Sequence, residues 1–297
     1  MRASAPGKIL LLGEYAVLDG SPAIVVAVDR FAVARLVDPP QELSPFLAAV
    51  REEMGPAVDR VVVDTRGFAE GGKKLGLGSS AAATVAAVAL VAGDDRERIH
   101  AVAHRAHARA QEPRGARGSG ADIAASVHGG LLQVQGRPED GPLAVRRLVW
   151  PAGVELVVLW TGTPADTPSL VAAVRALRDR DATAHGAALD AIAAAAVAFP
   201  ADPIAAVADG ARALAALGEA AGVPLVPRGF DAIAALADRY GGAAKPTGAG
   251  GGDLVAALLP GESAAAFRAD ATSKGMTLVT TSVTQQGVTL AEAGDPD

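Results

Sequence analysis

The stretch that most constrains this chain is residues 73–91, KKLGLGSSAAATVAAVALV. Gly76 and Gly78 alternate with leucines, Ser79 and Ser80 follow, and an Ala/Val run continues with no breaker. The pattern predicts a glycine-rich loop opening directly into a helix. At such a junction several backbone N–H groups lack a helical acceptor, and the positive end of the helix dipole points to the same place. An anion fits there, a polyphosphate above all. The plainer alternative is a flexible turn capped by Ser79 or Ser80, since serine is a favoured N-cap.

Composition narrows the choice. A chain of 297 residues allows two domains, on the usual size of ~150 residues each. Half the residues are apolar and a fifth charged, which suits a large core and argues against disorder. Aromatics make up only 3%, so the core must be closely packed Ala, Val and Leu. The net charge of −6 excludes a nucleic-acid binder held by bulk charge. An anionic ligand must therefore be held by local amides and a few cations, and only 5 of the 27 basic residues are lysines. The absence of cysteine excludes disulfides, thiol catalysis and cysteine-ligated zinc. The apolar run at 9–12 is too short for a signal peptide, and no run reaches the ~20 residues of a membrane span. The expectation is a soluble, cytoplasmic protein with no nucleic-acid or membrane partner; oligomeric state stays open.

Read in order, residues 3–18, 21–38 and 58–65 look like strands, and 44–54 like a helix capped by Ser44. Residues 66–73 read as a loop, 94–111 as a long helix, 112–120 as a loop, and 121–130 as a short helix ended by Gly129 and Gly130. Two strands, LLQVQ and LAVRRLVW, complete the first block. From 154 a buried strand precedes four helical segments, a second glycine cluster at 244–253, a strand, a helix at 264–274, a strand TLVTTSV, and a frayed tail AEAGDPD. Strands before and among helices indicate α+β. We expect an N-terminal domain over 1–153 and a C-terminal one over 154–297.

Four clusters carry chemistry. The glycine clusters at 76–80 and 248–252 fall one in each block, which suggests a ligand held in a crevice. Small residues in AKPTGAGGGD indicate a backbone that approaches something closely. Lys8 sits between Gly7 and the core-bound run ILLL, a compact charge suited to phosphate or to phosphoryl transfer. In RGSGAD (117–122), Asp122 opens a helix; it is either a cap or a carboxylate that orients a nucleophile or Mg²⁺. His100, His104 and His107 share one helix face, read as core or surface rather than metal site because no HExxH or further ligand cluster accompanies them.

With these clusters in hand the chain resembles the GHMP-type small-molecule kinases. APGKILLLGEYAVLDG (5–20), KLGLGSSAA (74–82) and KPTGAGGGD (245–253) are similar to that family's three motifs, in the same order. The resemblance implies a ribosomal protein S5 domain 2-like N-terminal domain, a ferredoxin-like C-terminal domain, and ATP with Mg²⁺ between them. It implies a triphosphate loop of Gly76, Leu77, Gly78, Ser79, Ser80 and Ala81, with Ser80 on the Mg²⁺ and Ser79 capping the helix. WTGTPADTPSLV, AHARAQ with GSGAD, and Asp253 closing the third motif resemble bacterial phosphomevalonate kinases more than mevalonate kinases. Where mevalonate kinases carry a metal-binding glutamate, this chain has Gln111.

The implied activity is ATP-dependent phosphorylation of 5-phosphomevalonate in the mevalonate route to isoprenoids. Lys8 and Asp122 are then catalytic. Lys8, Glu14, Tyr15, Lys74, Ser119, Gly120, Thr163, Thr167, Gly248, Ala249 and Gly250 contact the acceptor, and Lys73 is an alternative to Lys74 as its counter-charge. Two alternatives stand beside this: a mevalonate kinase, with a hydroxyl acceptor, and a non-catalytic sensor of nucleotide and metabolite.

Overall fold

The computed structural model describes residues 1–114 and 118–292. The loop reading at 115–117 and most of the frayed-tail reading, 293–297, lie outside the described residues. The chain divides into two compact units, one of Met1–Ile9, Val25–Arg147 and Val283–Asp297, the other of Leu10–Ile24 and Leu148–Ser282. The switch at Arg147 lies near the expected boundary, but the units are interleaved rather than contiguous. Residues 10–24 belong with the second half and 283–297 with the first.

In chain order the elements begin with β1 (Arg2–Leu12), β2 (Ala23–Leu36), α1 (Pro45–Met54), β3 (Val61–Asp64) and the short hairpin strands β4 (Ala69–Glu70) and β5 (Lys73–Lys74). Next come α2 (Ser79–Ala92), α3 (Arg96–Gln111), α4 (Ala121–His128), β6 (Leu131–Gln135) and β7 (Ala144–Leu148). The second unit adds β8 (Val154–Trp160), α5 (Thr167–Arg180), α6 (Ala182–Ala198), α7 (Pro203–Ala221) and α8 (Phe230–Arg239). It ends with β9 (Ala243–Pro246), β10 (Leu254–Pro260), α9 (Gly261–Ser273) and β11 (Thr277–Val279), before β12 (Thr289–Ala291) returns to the first.

The first sheet runs β12-β1-β2-β6-β7, with β3 also paired to β2. Its core is built around α2, where nine of 14 residues are buried. Alanine makes that possible, because helices with short side chains can be approached closely from several sides. Val85, Val88 and Leu90 of α2 pack with Leu47 and Val50 of α1, Ile99 and Val102 of α3, and Ile123 and Val127 of α4. Local signals set the helix starts. Ser44 Oγ accepts from Leu47 N–H at 3.4 Å, with Pro45 at the first helical position, and Asp95 accepts from Arg98 N–H at 3.0 Å.

The second sheet has the order β11-β8-β10-β9, antiparallel throughout. Counted within the unit this is fourth-first-third-second, the interleaved double βαβ of a ferredoxin-like fold. Phe230, Ile233 and Leu236 of α8 and Ala264 and Phe267 of α9 pack on its strands. A separate cluster joins Leu170 and Val174 of α5, Leu189 and Ile192 of α6, and Leu214 and Leu217 of α7 to Tyr15 and Ala16. Among the described residues no helix is long and apolar enough to cross a membrane.

Four expected spans change. The strand expected through Leu18 ends at Leu12. Gly13 has φ 91°, a Cβ there would lie 2.5 Å from Ala23 Cα, and a 3-10 turn covers Ala16–Asp19. The strand expected from Val58 starts at Val61, after a 3-10 turn at Pro56–Arg60. The expected loop 66–73 contains β4 and leads into β5. TLVTTSV is regular only to Val279, although Val283 bridges Val28, and β12 was not expected, being too short for an alternating pattern to register.

The histidine face of α3 is core. His100 and His104 are buried, and His128 Nε2 of α4 lies 3.2 Å from His100 Nδ1. One ring nitrogen donates and the other accepts, so the two facing nitrogens share a single proton. Burial, then His128 and His104, pushes His100 down from 6.5 to about 4; burial, then Arg147 and Arg96, lowers His128. A depressed folded pKa contributes stability that is complete above the unfolded value and is lost as pH falls toward the folded one. For His100 the loss at about pH 5 is about 2 kcal/mol. Denaturant titrations should therefore show lower stability at about pH 5 than at about pH 8, and His100→Asn should shrink that difference. An identical pH dependence in the variant would contradict the assignment.

Candidate active site

The loop before α2 is held by an alternation of freedom and anchorage. Gly76 and Gly78 take φ values of 71° and 82°, which an L side chain would strain. Leu77 between them is 1% exposed, and its carbonyl accepts the Lys8 N–H at 2.8 Å. A Cβ on Gly78 would stand 3.0 Å from both Cγ and Cε of Lys8, so the lysine stem crosses the loop where the glycine leaves room. Gly78 occupies the N-cap position of α2, and no side chain caps the helix. This corrects the expected cap: Ser79 is the first helical residue, and Ser79, Ser80 and Ala81 present first-turn amides ahead of the first helical bond, Ala82 N–H to Gly78 O at 3.0 Å. An uncapped helix start beside a lysine is an anion seat.

Behind the loop lies a polar cluster contributed by α2, α3 and α4. Ser80 Oγ is 3.3 Å from His107 Nε2, and Asp122 Oδ2 is 4.0 Å from the same nitrogen. Asp122 does not cap α4: Gly120 holds the N-cap position with φ 81°, and Asp122 Oδ1 accepts from Ile123 N–H at 2.9 Å. Ser119 Oγ accepts from Ala121 N–H at 3.2 Å, so it shapes the entry to α4. Burial lowers the His107 pKa, Asp122 opposes that shift, and His104 and Lys8 reinforce it.

The sequence sets His107 with His100 and His104 on one face, core or surface, and does not reveal its place beside Ser80 and Asp122. The signal was the AHARAQ stretch, which sets His107 and Gln111 one turn apart on α3. The glycines of GSGAD have a matching use. A Cβ on Gly118 would fall 2.6 Å from Gln111 Oε1, and one on Gly120 would fall 2.6 Å from His104 Nδ1. Both are seats for α3 side chains.

A cavity of about 440 Å³ in the first unit is lined by Lys74, Ser79, Ser80 and Glu42 together with Phe46, Leu47, Val61 and Val63. Its size and mixed lining suit a small molecule with an apolar ring and a charged end. Lys74 and Lys73 are exposed on β5.

In the second unit the expected acceptor residues divide. Glu14 is 2% exposed and Lys245 1%, and they form an ion pair. Burial raises the Glu14 pKa and lowers that of Lys245, each opposed by the partner's charge. Lys245 also donates to Pro246 O at 2.9 Å. Tyr15, at φ 62°, donates its hydroxyl to Ala249 O at 2.6 Å. Glu14 and Tyr15 thus hold the second glycine cluster rather than facing outward.

That cluster's close approaches are to the protein itself. A Cβ on Gly250 would lie 2.2 Å from Leu225 O, one on Gly251 2.6 Å from Leu170 Cδ1, and one on Gly252 2.6 Å from Thr163 O. Asp253 N–H donates to Thr163 O at 2.7 Å, and Asp253 Oδ1 accepts from Ala165 N–H at 3.3 Å. The WTGTPAD and GGGD stretches are therefore one local structure. Gly248 alone of these glycines has open space at its Cβ position, and Thr163 and Thr167 are exposed. Glu14→Ala leaves Lys245 buried without its counter-charge, at an expected cost of about 3–5 kcal/mol. Glu14→Leu with Lys245→Met should recover most of it in denaturant titration; a double variant as unstable as Glu14→Ala would contradict the pairing.

Comparison with known proteins agrees with this arrangement. Residues 47–130 match the family described as GHMP kinases N terminal domain. Phosphomevalonate kinase of Streptomyces sp. (strain CL190) is 31% identical, covering 87% of this chain and 89% of the relative. Among solved structures, a Lin0012 protein from Listeria innocua superposes with a TM-score of 0.86 at 24% identity, covering 98% of this chain and 99% of that one. Phosphomevalonate kinase of Streptococcus pneumoniae, in complex with phosphomevalonate and AMPPNP, superposes with a TM-score of 0.78 at 18% identity, covering 95% and 99%. An uncapped glycine-rich helix start beside a lysine, a ferredoxin-like second sheet and a relative that matches along most of both chains place this protein in the GHMP kinase family, as a small-molecule kinase similar to bacterial phosphomevalonate kinase.

Proposed function

We propose that this kinase transfers the γ-phosphoryl group of ATP to the phosphate of 5-phosphomevalonate, forming 5-diphosphomevalonate and ADP. The observation that carries the transfer is the uncapped start of α2 with the Lys8 stem laid across Gly78. Amides of Ser79, Ser80 and Ala81 bind phosphate oxygens, and the adjoining cavity takes the nucleoside. An acceptor oxygen attacks the γ-phosphorus as the bond to the bridging oxygen of ADP breaks. A phosphomonoester has a second pKa of ~6 and is mostly dianionic near neutrality, so no side chain has to remove a proton. The difficulty is the meeting of two anions, and in this reading the Lys8 ammonium neutralises them.

The family implies Mg²⁺, and the donor set fits it. One hydroxyl, on Ser80, and one carboxylate, on Asp122, stand within 3.3 and 4.0 Å of a common nitrogen of His107. Magnesium takes oxygen ligands and keeps much of its shell for water and phosphate. When bound, the ion neutralises phosphate charge. Asp122 also orients the acceptor. Gln111, whose amide lies 3.5 Å from the same His107 nitrogen, is neutral, so the dianionic acceptor meets no second carboxylate from that position. Lys74, Ser119 and Gly120 are further acceptor contacts in this reading.

Coupled ADP-release assays with purified protein test the proposal. We expect turnover with phosphomevalonate and little with mevalonate. Turnover with mevalonate alone would make the chain a mevalonate kinase, and tight ATP binding without turnover on either would make it a sensor. Lys8→Met keeps the stem over Gly78 and removes the charge. It should lower kcat on the order of 10²–10³-fold with little change in Tm, whereas equal damage to both would make Lys8 a structural residue.

A further inference from the structure

We propose that His107 is a positioning residue for the phosphate loop: its unprotonated Nε2 accepts the Ser80 hydroxyl and turns that oxygen's lone pairs toward the loop opening. The inference rests on the proposed place of Ser80 beside phosphate and Mg²⁺, and it says how a serine is prepared for that place.

A serine hydroxyl that ligates a cation must send its proton elsewhere, since the lone pairs serve the metal. The partner must therefore be an acceptor. His107 Nε2 stands 3.3 Å from Ser80 Oγ, and its tautomer follows from its other neighbour. Gln111 Oε1 accepts the Gly118 N–H at 2.8 Å, which fixes the amide and leaves the Gln111 NH₂ 3.5 Å from the same His107 Nε2. An NH₂ facing a ring N–H is unfavourable, and Asp122 Oδ2, 4.0 Å from the same nitrogen, lies beyond hydrogen-bond reach of a ring N–H, so Nε2 is the bare nitrogen. The ring cannot turn away easily. It is 2% exposed and stacked on Phe46, with centroids 5.1 Å apart and planes 24° apart.

The chain of contacts runs from Gly118 to Gln111, to His107, to Ser80. Each link removes a freedom from the next: the Gly118 amide sets the Gln111 flip, Gln111 sets the His107 tautomer, and His107 sets the Ser80 hydroxyl. The absence of a Cβ at Gly118 is part of the device, because a side chain there would collide with Gln111 Oε1 at 2.6 Å. A hydroxyl held in this way needs no reorganisation when the nucleotide arrives.

The test uses the full-length protein with a non-hydrolysable ATP analogue and Mn²⁺ as a spectroscopic probe, read by electron paramagnetic resonance, alongside kcat and Tm. His107→Leu removes the acceptor while filling space; His107→Gln offers an amide oxygen in place of Nε2. Mn²⁺ affinity in the nucleotide complex should fall about tenfold or more in His107→Leu and be largely restored in His107→Gln. Adding His107→Leu to Ser80→Ala should cost little beyond Ser80→Ala alone. Equal losses in His107→Leu and His107→Gln, or additive losses in the double variant, would overturn the inference while leaving the role of Ser80 intact. Unchanged Mn²⁺ affinity in Ser80→Ala would instead overturn the reading of Ser80 on which the inference rests.

Discussion

The hydrogen bond from Lys8 N–H to Leu77 O is the constraint on which the site depends. It ties β1 to the loop that opens α2, and the buried Leu77 side chain fixes the loop in the core below. Once Leu77 is pinned, Gly76 and Gly78 must carry the chain through positive φ on either side of it. The missing side chain at Gly78 is then what lets the Lys8 stem lie across the loop. A cation and a set of first-turn amides come together because one leucine is anchored between two glycines. The fold supplies the energetics through α2, whose alanines let α1, α3 and α4 pack around it.

The glycine-rich motifs do different physical work. In the first, glycine permits a backbone conformation and clears a path for Lys8. In GSGAD, Gly118 and Gly120 make room for Gln111 and His104 of α3, which links that motif to AHARAQ. In GAGGGD, three successive glycines let the backbone pack on Leu225, Leu170 and Thr163, with Glu14, Lys245 and Tyr15 bracing the loop from behind. Charge inside the second unit is thus spent on holding a loop in place. The expected cost of breaking the ion pair measures that structural role.

Much of this was legible in the sequence, and the rest was hidden for identifiable reasons. The glycine-rich loop, the α2 helix it opens and the position of Lys8 announce themselves through local chemistry: glycine alternation, an unbroken Ala/Val run, a lysine ahead of a core strand. The ion pair of Glu14 was not legible, because its partner, Lys245, lies at the far end of the chain and only tertiary packing joins them. The three histidines of α3 showed a common face, but periodicity does not say what a face meets. His100 meets His128, His104 meets Pro138 O, and His107 meets Ser80. Ser79 read as a cap because serine is a good one, whereas Gly78 takes that position with a positive φ. The interleaved units escaped notice because a strand crossing from one unit to the other leaves no mark in composition.

The acceptor decides what kind of kinase this is. A phosphate acceptor poses an electrostatic problem, and a hydroxyl acceptor poses a proton-transfer problem. Lys8 over an uncapped helix start supplies positive charge of the kind the first problem calls for. The most direct measurement is ³¹P NMR of the product formed from ATP and phosphomevalonate. The account predicts a pair of mutually coupled phosphorus signals from a new diphosphate. Two uncoupled monoester signals, showing transfer to a carbon-bound hydroxyl, would contradict it.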